Sequence, residues 1–99
     1  MIRPIRTAKP ASEELTAAVQ WYERQRPGLG AEFFDATLRT IDRISETPDA
    51  GTSFTTLDAR RMLVGGFPYQ IVYRTGADEI RILAFAHFRR RPGFWRHRR

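Results

Sequence analysis

The spacing of apolar residues changes near Pro48, and that change restricts the folds this chain can adopt. From Pro10 to Pro48, apolar side chains recur every three or four residues, which is the repeat of an amphipathic helix. After Pro48, short runs of β-branched and aromatic residues are bounded by glycine and proline, which indicates strands. The pattern predicts helices followed by a sheet, and 99 residues is the length of one domain, 1–99.

Two helices are predicted in the first half of the chain. The first spans residues 10–26, because Pro10 suits the first helical position, where its missing N–H costs nothing. Pro27 and Gly28 then stop it. The second spans residues 29–46. Their connection is short, so the two helices are expected to form an antiparallel hairpin.

The second half predicts an antiparallel meander of short strands. The clearest candidates are Tyr69–Arg74 and Glu79–Ala86, and the weaker ones in this half are residues 54–57 and 60–64. Before the first helix, residues 2–6 are a further weak candidate, which Pro4 restricts to an edge position. A hairpin of helices and a small sheet are each unstable alone, so the hairpin is expected to pack on one sheet face in an α+β fold.

Strict alternation divides the last strand between two faces. One set is expected to meet the helices, and it comprises Ile80, Ile82, Ala84 and Ala86. The opposite set combines charged or polar side chains with large apolar ones, and it comprises Arg81, Leu83, Phe85 and His87. Because that second set is not an ordinary solvated face, we expect it to bind a ligand, a partner strand or a nucleic acid.

Charge is concentrated in the second half of the chain. Residues 51–99 hold ten basic and three acidic groups, a net of +7, whereas residues 1–50 hold seven and eight, a net of −1. Residues 87–99 form a basic C-terminal tail containing six arginines. This asymmetry predicts an anionic partner, either nucleic acid or an acidic protein segment.

Several classes of protein are disfavoured by composition. The chain has no cysteine, which suits a reducing compartment, and no apolar run approaches the roughly 20 residues of a membrane span. The two histidines, His87 and His97, have no carboxylate cluster near them in sequence, which argues against a zinc site. We therefore expect a cytoplasmic protein with no cofactor, no metal and no membrane partner.

Two groups of motifs resemble a known family. The first contains Trp21–Gln25, Pro27–Gly30 and Phe33; the second contains Phe67–Tyr73, Ile80–His87, Arg89-Arg90, Pro92-Gly93 and Trp95. In this order and at this length they are similar to the RelE/ParE superfamily of type II toxin–antitoxin toxins, closer to its ParE-like members. The resemblance covers residues 7–96.

The resemblance implies a helical hairpin on a small twisted antiparallel sheet, and a cognate antitoxin that neutralises the toxin in a hetero-oligomer. ParE-like members arrest growth by inhibiting DNA gyrase without catalysis of their own, and such systems are associated with plasmid stabilisation. RelE-like members are mRNA interferases, which cut messenger RNA on the ribosome without a metal. A third interpretation, independent of the family, is a non-toxic arginine-rich nucleic-acid-binding domain.

The residues favour the gyrase interpretation. Where RelE-like enzymes often carry a strand arginine, this chain has Gln70, and where they carry a tail tyrosine it has Trp95. His87 matches a histidine that some RNase members use, so it is a catalytic candidate only for an RNase. Arginine and tryptophan do not exchange protons near neutral pH, which leaves His87 as the one titrating group in this region.

Binding residues are predicted in two sets. Contact with the target or nucleic acid is expected from Arg61, Arg81, Arg89, Arg90, Arg91, Phe94 and Trp95. Contact with the antitoxin is expected from Trp21, Tyr22, Phe33, Leu83 and Phe85. The alternatives are a solvated, partly disordered tail, and aromatic residues that serve only to pack the core.

Overall fold

A computed structural model describes residues 3–54 and 58–98. Along the chain the elements are β1 (Ile5–Thr7), α1 (Lys9–Gln25), α2 (Leu29–Glu46), a 3₁₀ turn (Pro48–Ala50), β2 (Thr52–Ser53), β3 (Arg60–Leu63), β4 (Tyr69–Thr75) and β5 (Ile80–His87). The predicted helices are confirmed to within one residue at each end. Of the predicted strand 54–57, residues 55–57 lie outside the described part of the chain.

The turn between the helices explains the Pro-Gly-Leu-Gly motif. The Glu23 carboxylate accepts hydrogen bonds from the backbone N–H of Gly28 and of Gly30 at 3.0–3.1 Å, so it satisfies free donors in the first turn of α2. Gly28 has a φ of 90°, in the left-handed region that favours glycine. At Gly30 a Cβ would meet the Val19 carbonyl oxygen at 2.7 Å, so this position needs glycine for the close approach of the two helices.

The five strands form one sheet in the order β1-β5-β4-β3-β2. Strands β2 to β5 pair antiparallel, which confirms the predicted meander. β1 lies at one edge of the sheet and pairs parallel with the first half of β5, from Ile5 opposite Ile80 to Thr7 opposite Ile82. This parallel pairing was not part of the sequence prediction.

A β-bulge interrupts β5. Tyr73 of β4 lies opposite Ile82 and Val72 opposite Ala84, so Leu83 is the extra residue of β5. The predicted division of β5 is therefore right up to Leu83 and wrong from Ala84 onward. Past the bulge Phe85 faces the helices, whereas Leu83, Ala84 and Ala86 contribute to the opposite face.

Each face of the sheet has its own hydrophobic core. The core under the helices is centred on a cluster of aromatic rings: the centre of the Phe33 ring is 4.8 Å from that of Tyr22, in a tilted contact, and 5.0 Å from that of Tyr69, edge to face. The second core is smaller and lies on the opposite face; its buried members are Ala59, Val72, Leu83, Ala84, Ala86 and Trp95. Neither described helix is both long and apolar enough to cross a membrane.

Candidate functional site

Residues 88–98, the C-terminal segment, fold back along β5 instead of extending into solvent. The Phe88 N–H donates to the Pro68 carbonyl and the Arg90 N–H to the His87 carbonyl, both at 3.0 Å. Trp95 is only 1% exposed and closes the second core. These residues are therefore packed against the sheet, which favours the packing interpretation over a solvated tail.

Glu14 of α1 holds the end of this segment. Its Oε1 accepts hydrogen bonds from Arg98 Nη1 at 2.8 Å and from the Phe85 backbone N–H at 3.2 Å. Arg98 Nη1 also donates to the Leu83 carbonyl at 3.0 Å. The Phe85 N–H and the Leu83 carbonyl lie in the part of β5 that β1 does not pair with. The Glu14–Arg98 ion pair therefore forms the hydrogen bonds that a neighbouring strand would otherwise form there.

Phe94 is enclosed by two guanidinium groups. The Arg90 Cζ lies 3.9 Å from the centre of the Phe94 ring, and the Arg98 Cζ lies 5.0 Å from it. Arg90 Nη1 is also 3.9 Å from Glu14 Oε2. Cation–π contact and the nearby carboxylate thus fix Arg90 and Arg98 against the protein surface.

Arg89, Arg90 and Arg91 form an exposed basic turn at the start of the segment. Within the described residues, the Arg89 and Arg91 side chains form no ion pair, so their charge is available to a partner. The basic turn is flanked by His87, which ends β5, and by the anchored Phe94 and Trp95. The three consecutive arginines therefore lie on a turn whose two ends are held by packing against the rest of the protein.

His87 lies at the rim of a cleft of about 320 Å³ between α1 and the end of β5. Its Nδ1 accepts the Arg89 backbone N–H at 3.1 Å, so the neutral ring carries its proton on Nε2. The Tyr69 ring packs edge-on against His87, with ring centres 5.3 Å apart. Burial raises the pKa of Tyr69 above its ordinary value, and the Glu14 carboxylate adds to this, so the phenol stays neutral at physiological pH.

The structure places Arg90 in the same cleft as His87 but does not bring two other predicted phosphate-binding arginines, Arg61 and Arg81, to it. Arg61 lies over the Phe54 ring at 5.7 Å, beside the second core, and Arg61 Nη1 donates to Gln70 Oε1 at 3.3 Å. Arg81 Nη1 is 3.8 Å from a Glu79 carboxylate oxygen. His87 contacts an aromatic ring of the first core instead. Among the described residues, no three His, Asp or Glu side chains gather as a metal site would need.

The five residues predicted to contact the antitoxin differ sharply in exposure. Trp21 is 51% exposed, whereas the other four are buried: Tyr22, Phe33, Leu83 and Phe85. Phe85 is on the helix face because of the bulge, and Leu83 is covered in the second core. The exposed apolar side chains of the hairpin are Trp21, Phe34 and Leu38.

Glu14 was not among the site residues predicted from the sequence. Its hydrogen-bond partners Phe85 and Arg98 lie 71 and 84 positions away, so no local spacing points to them. The exposed Phe88 was also not predicted. It lies between the last strand and three arginines, so neither the helical nor the strand repeat of apolar residues includes it.

Comparison with known proteins identifies a family with this sequence pattern and a solved structure with a similar fold. Residues 5–92 match the family model described as the ParE toxin of the type II toxin-antitoxin system, parDE. The fold is similar to a structure entitled "Chromosomal ParDE TA system from P. aeruginosa", with a TM-score of 0.78 and 16% identity over 87% of this chain and 96% of that one. No curated protein sequence matches significantly. Since the family model spans most of the sequence, the chain belongs to the ParE toxin family of type II toxin–antitoxin systems.

Proposed function

We propose that this ParE-family toxin arrests bacterial growth by binding DNA gyrase through its basic turn, and that a cognate antitoxin neutralises it. The observation that carries the proposal is the support given to the turn. Buried Trp95 and the Glu14–Arg98 ion pair hold the segment, while Arg89 and Arg91 stay exposed. A turn whose backbone is already held in place loses less conformational entropy when it binds an anionic surface, and its exposed guanidinium groups can form paired hydrogen bonds there.

The arrangement around His87 argues against ribonuclease activity. Metal-free RNA cleavage needs a base, an acid and charge stabilisation at one phosphate. Here Nδ1 of His87 is already hydrogen-bonded, and the neighbouring Tyr69 is a neutral phenol whose raised pKa makes it a poorer acid. Arg61 and Arg81 are held elsewhere by Gln70 and Glu79. The residues favour binding over cleavage.

The first experiment compares the purified toxin in a gyrase supercoiling assay and with translating ribosomes. We expect inhibition of supercoiling, with trapped double-strand breaks, and no cleavage of mRNA. The variant Arg89→Gln/Arg91→Gln should lose inhibition, whereas Arg24→Gln/Arg39→Gln, which removes two exposed helix charges, should keep it. His87→Ala should also keep it.

Two outcomes would reject this proposal. Ribosome-dependent cuts that disappear in His87→Ala while ribosome binding persists would assign a RelE-like activity. Tight, strongly salt-dependent binding to bare nucleic acid, with normal growth on expression, would assign a non-toxic binding domain.

The antitoxin is proposed to cover the helical hairpin. Trp21 of α1 and the pair Phe34 and Leu38, one turn apart on α2, are large apolar side chains between 40% and 51% exposed. Apolar area of this kind marks protein contact surfaces. Hydrogen exchange of the toxin with and without antitoxin should show protection in residues 10–46, and Phe34→Ser/Leu38→Ser should weaken neutralisation while gyrase inhibition persists. Protection confined to the basic turn would contradict this footprint.

A further inference from the structure

Three arginines on adjacent strands form a row across the sheet, which we call the arginine row. Arg6 of β1 is directly opposite Arg81 of β5, and Arg74 of β4 is opposite the same Arg81 on its other side. Residues that are directly opposite each other point to the same face of a sheet. Ile80 and Ile82, on either side of Arg81, pack in the core under the helices, so the row projects from the face turned away from them.

The arginine row lies at the far end of the sheet from the basic turn. Arg81 is the second residue of β5 and His87 is its last, so roughly 20 Å of strand separates the two surfaces. Neighbouring strands are about 4.8 Å apart, which puts the Cα atoms of Arg6 and Arg74 about 10 Å apart. The row is therefore a separate surface that a partner can reach while the basic turn is occupied.

Two carboxylates lie beside the row without neutralising it. Glu79 is between two arginines, with Oε1 3.4 Å from Arg6 Nε and Oε2 3.8 Å from Arg81 Nη1. Asp58 Oδ2 is 3.7 Å from Arg74 Nε. These five side chains are between 33% and 95% exposed, and exposed ion pairs of this length contribute little to stability. An external anion can therefore replace the carboxylates at the three guanidinium groups.

The surroundings of the row favour a nucleic acid over a protein partner. Of the large apolar side chains exposed in the described residues, Leu63 is the one that belongs to a strand. It is opposite Gln70, four positions along β4 from Arg74, so no apolar anchor lies within the row. Protein interfaces are centred on buried apolar and aromatic side chains, whereas contacts to phosphates need only charge and hydrogen-bond donors.

The length of the row suits a regular phosphate backbone. One strand of duplex DNA carries a phosphate about every 3.4 Å along the helix axis, so about 10 Å of the row spans about three phosphates. Arginine binds phosphate oxygens through two parallel N–H groups. The strand pairing fixes the spacing of the three Cα atoms, so the row is prepared for a stiff, evenly charged partner.

We propose that the arginine row binds the phosphate backbone of double-stranded DNA without reading its sequence. Phosphate contacts orient a protein on DNA and carry no sequence information of their own. The inference goes beyond gyrase inhibition, because it assigns a second anionic partner to a second surface. It does not depend on gyrase being the target of the basic turn.

The test titrates a fluorescently labelled duplex of about two helical turns with the full-length toxin and follows anisotropy at several salt concentrations. We expect the logarithm of the binding constant to fall linearly with the logarithm of the salt concentration. Arg6→Gln/Arg74→Gln/Arg81→Gln should bind at least about tenfold more weakly, with a slope smaller by about 2–3, since each phosphate contact contributes about 0.9 to the slope.

The matched control is Arg24→Gln/Arg39→Gln/Arg43→Gln, which removes the same charge from exposed positions on the helices. Its slope should change by less than about 1. Circular dichroism establishes that both triple variants are folded. The arginine-row variant should still inhibit gyrase, because its basic turn is unchanged.

Replacement of Glu79 tests the same surface in the opposite direction. Glu79→Gln removes the carboxylate that competes with phosphate for Arg6 and Arg81, so it should strengthen duplex binding by about threefold or more. Glu13→Gln removes an exposed carboxylate of α1 and should have a smaller effect. Weaker binding in Glu79→Gln would mean that the arginines serve the ion pairs and not a phosphate backbone, and would overturn the inference.

Two further results would overturn it. One is an equal slope for the arginine-row variant and its helix control. The other is displacement of the duplex by a polyglutamate peptide that binds the row more tightly than DNA does, which would identify an acidic protein as the partner. Row-dependent duplex binding by a toxin that leaves gyrase active would reject the gyrase proposal alone, and gyrase inhibition without row-dependent binding would reject this one alone.

Discussion

The Glu14 carboxylate and the Arg98 guanidinium meet at 2.8 Å although 84 positions separate them in the chain. Both side chains are less than one fifth exposed. The same carboxylate accepts the Phe85 N–H, and the same guanidinium donates to the Leu83 carbonyl. One ion pair thus satisfies two backbone groups of β5 and ties the C-terminal segment to α1.

Replacement of Glu14 should release that segment. We expect Glu14→Ala to lower the free energy of unfolding by about 1–3 kcal/mol, because a shielded N–H and a guanidinium lose their acceptor. Hydrogen exchange in residues 88–98 should accelerate. Glu13→Ala changes the exposed neighbouring carboxylate and is the control. Equal exchange rates in both variants would mean that Trp95 alone holds the segment.

The two tryptophans should differ in their effect on stability. Trp95 is buried in the second core, so Trp95→Ala should cost about 3–5 kcal/mol through lost burial and the cavity left behind. Trp21 is half exposed, and Trp21→Ala should change the free energy of unfolding by about 0.5 kcal/mol or less. Urea unfolding followed by far-ultraviolet circular dichroism measures both. A small loss for Trp95→Ala would mean that the segment does not close the second core in solution.

Gly30 should not tolerate a methyl group. Gly30→Ala forces a Cβ against the Val19 carbonyl and the Glu23 side chain, and we expect a loss of about 1–3 kcal/mol. Gly65 has nothing within 4 Å of its ideal Cβ, so Gly65→Ala should be neutral or slightly stabilising. Thermal unfolding of the two variants provides the comparison. Similar melting temperatures would show that the hairpin relaxes more easily than its contacts indicate.

Stability should fall at alkaline pH. Burial is the main cause that raises the pKa of Tyr22, Tyr69 and Tyr73 in the folded chain, while phenols of the unfolded chain titrate near about 10. The contribution of these raised pKa values to the free energy of unfolding is complete below that pH. It is lost as the pH rises toward the folded pKa values, because the tyrosines of the unfolded state release their protons first. The urea midpoint should therefore decrease between pH 9 and pH 11, a window set by the reference value of about 10.

Tyr73→Phe provides a check on that slope. The Tyr73 hydroxyl donates to the Pro48 carbonyl at 2.6 Å and accepts the Gly51 N–H at 3.1 Å. Its removal should cost about 1–3 kcal/mol at neutral pH and make the alkaline decrease shallower. An unchanged slope would assign the pH dependence to Tyr22 and Tyr69.

The two helices and the antiparallel meander of β3, β4 and β5 were predictable because their signals are local. Pro10, Pro27 and Gly28 mark helix ends through backbone chemistry that does not depend on the rest of the fold. The placement of Trp95 and the pairing of Glu14 with Arg98 were not predictable. Both depend on where the C-terminal segment packs against the sheet. The spacing of residues along the chain does not determine that position.

The bulge at Leu83 gives β5 two phases in one strand. Substitutions beyond it change one side chain at a time, but the insertion or removal of a single residue there would exchange the environments of Phe85 and Ala86. The strand should therefore accept varied side chains and resist changes of length. It also means that aligning this strand to remote relatives by hydrophobic alternation alone would slip by one position after Ile82.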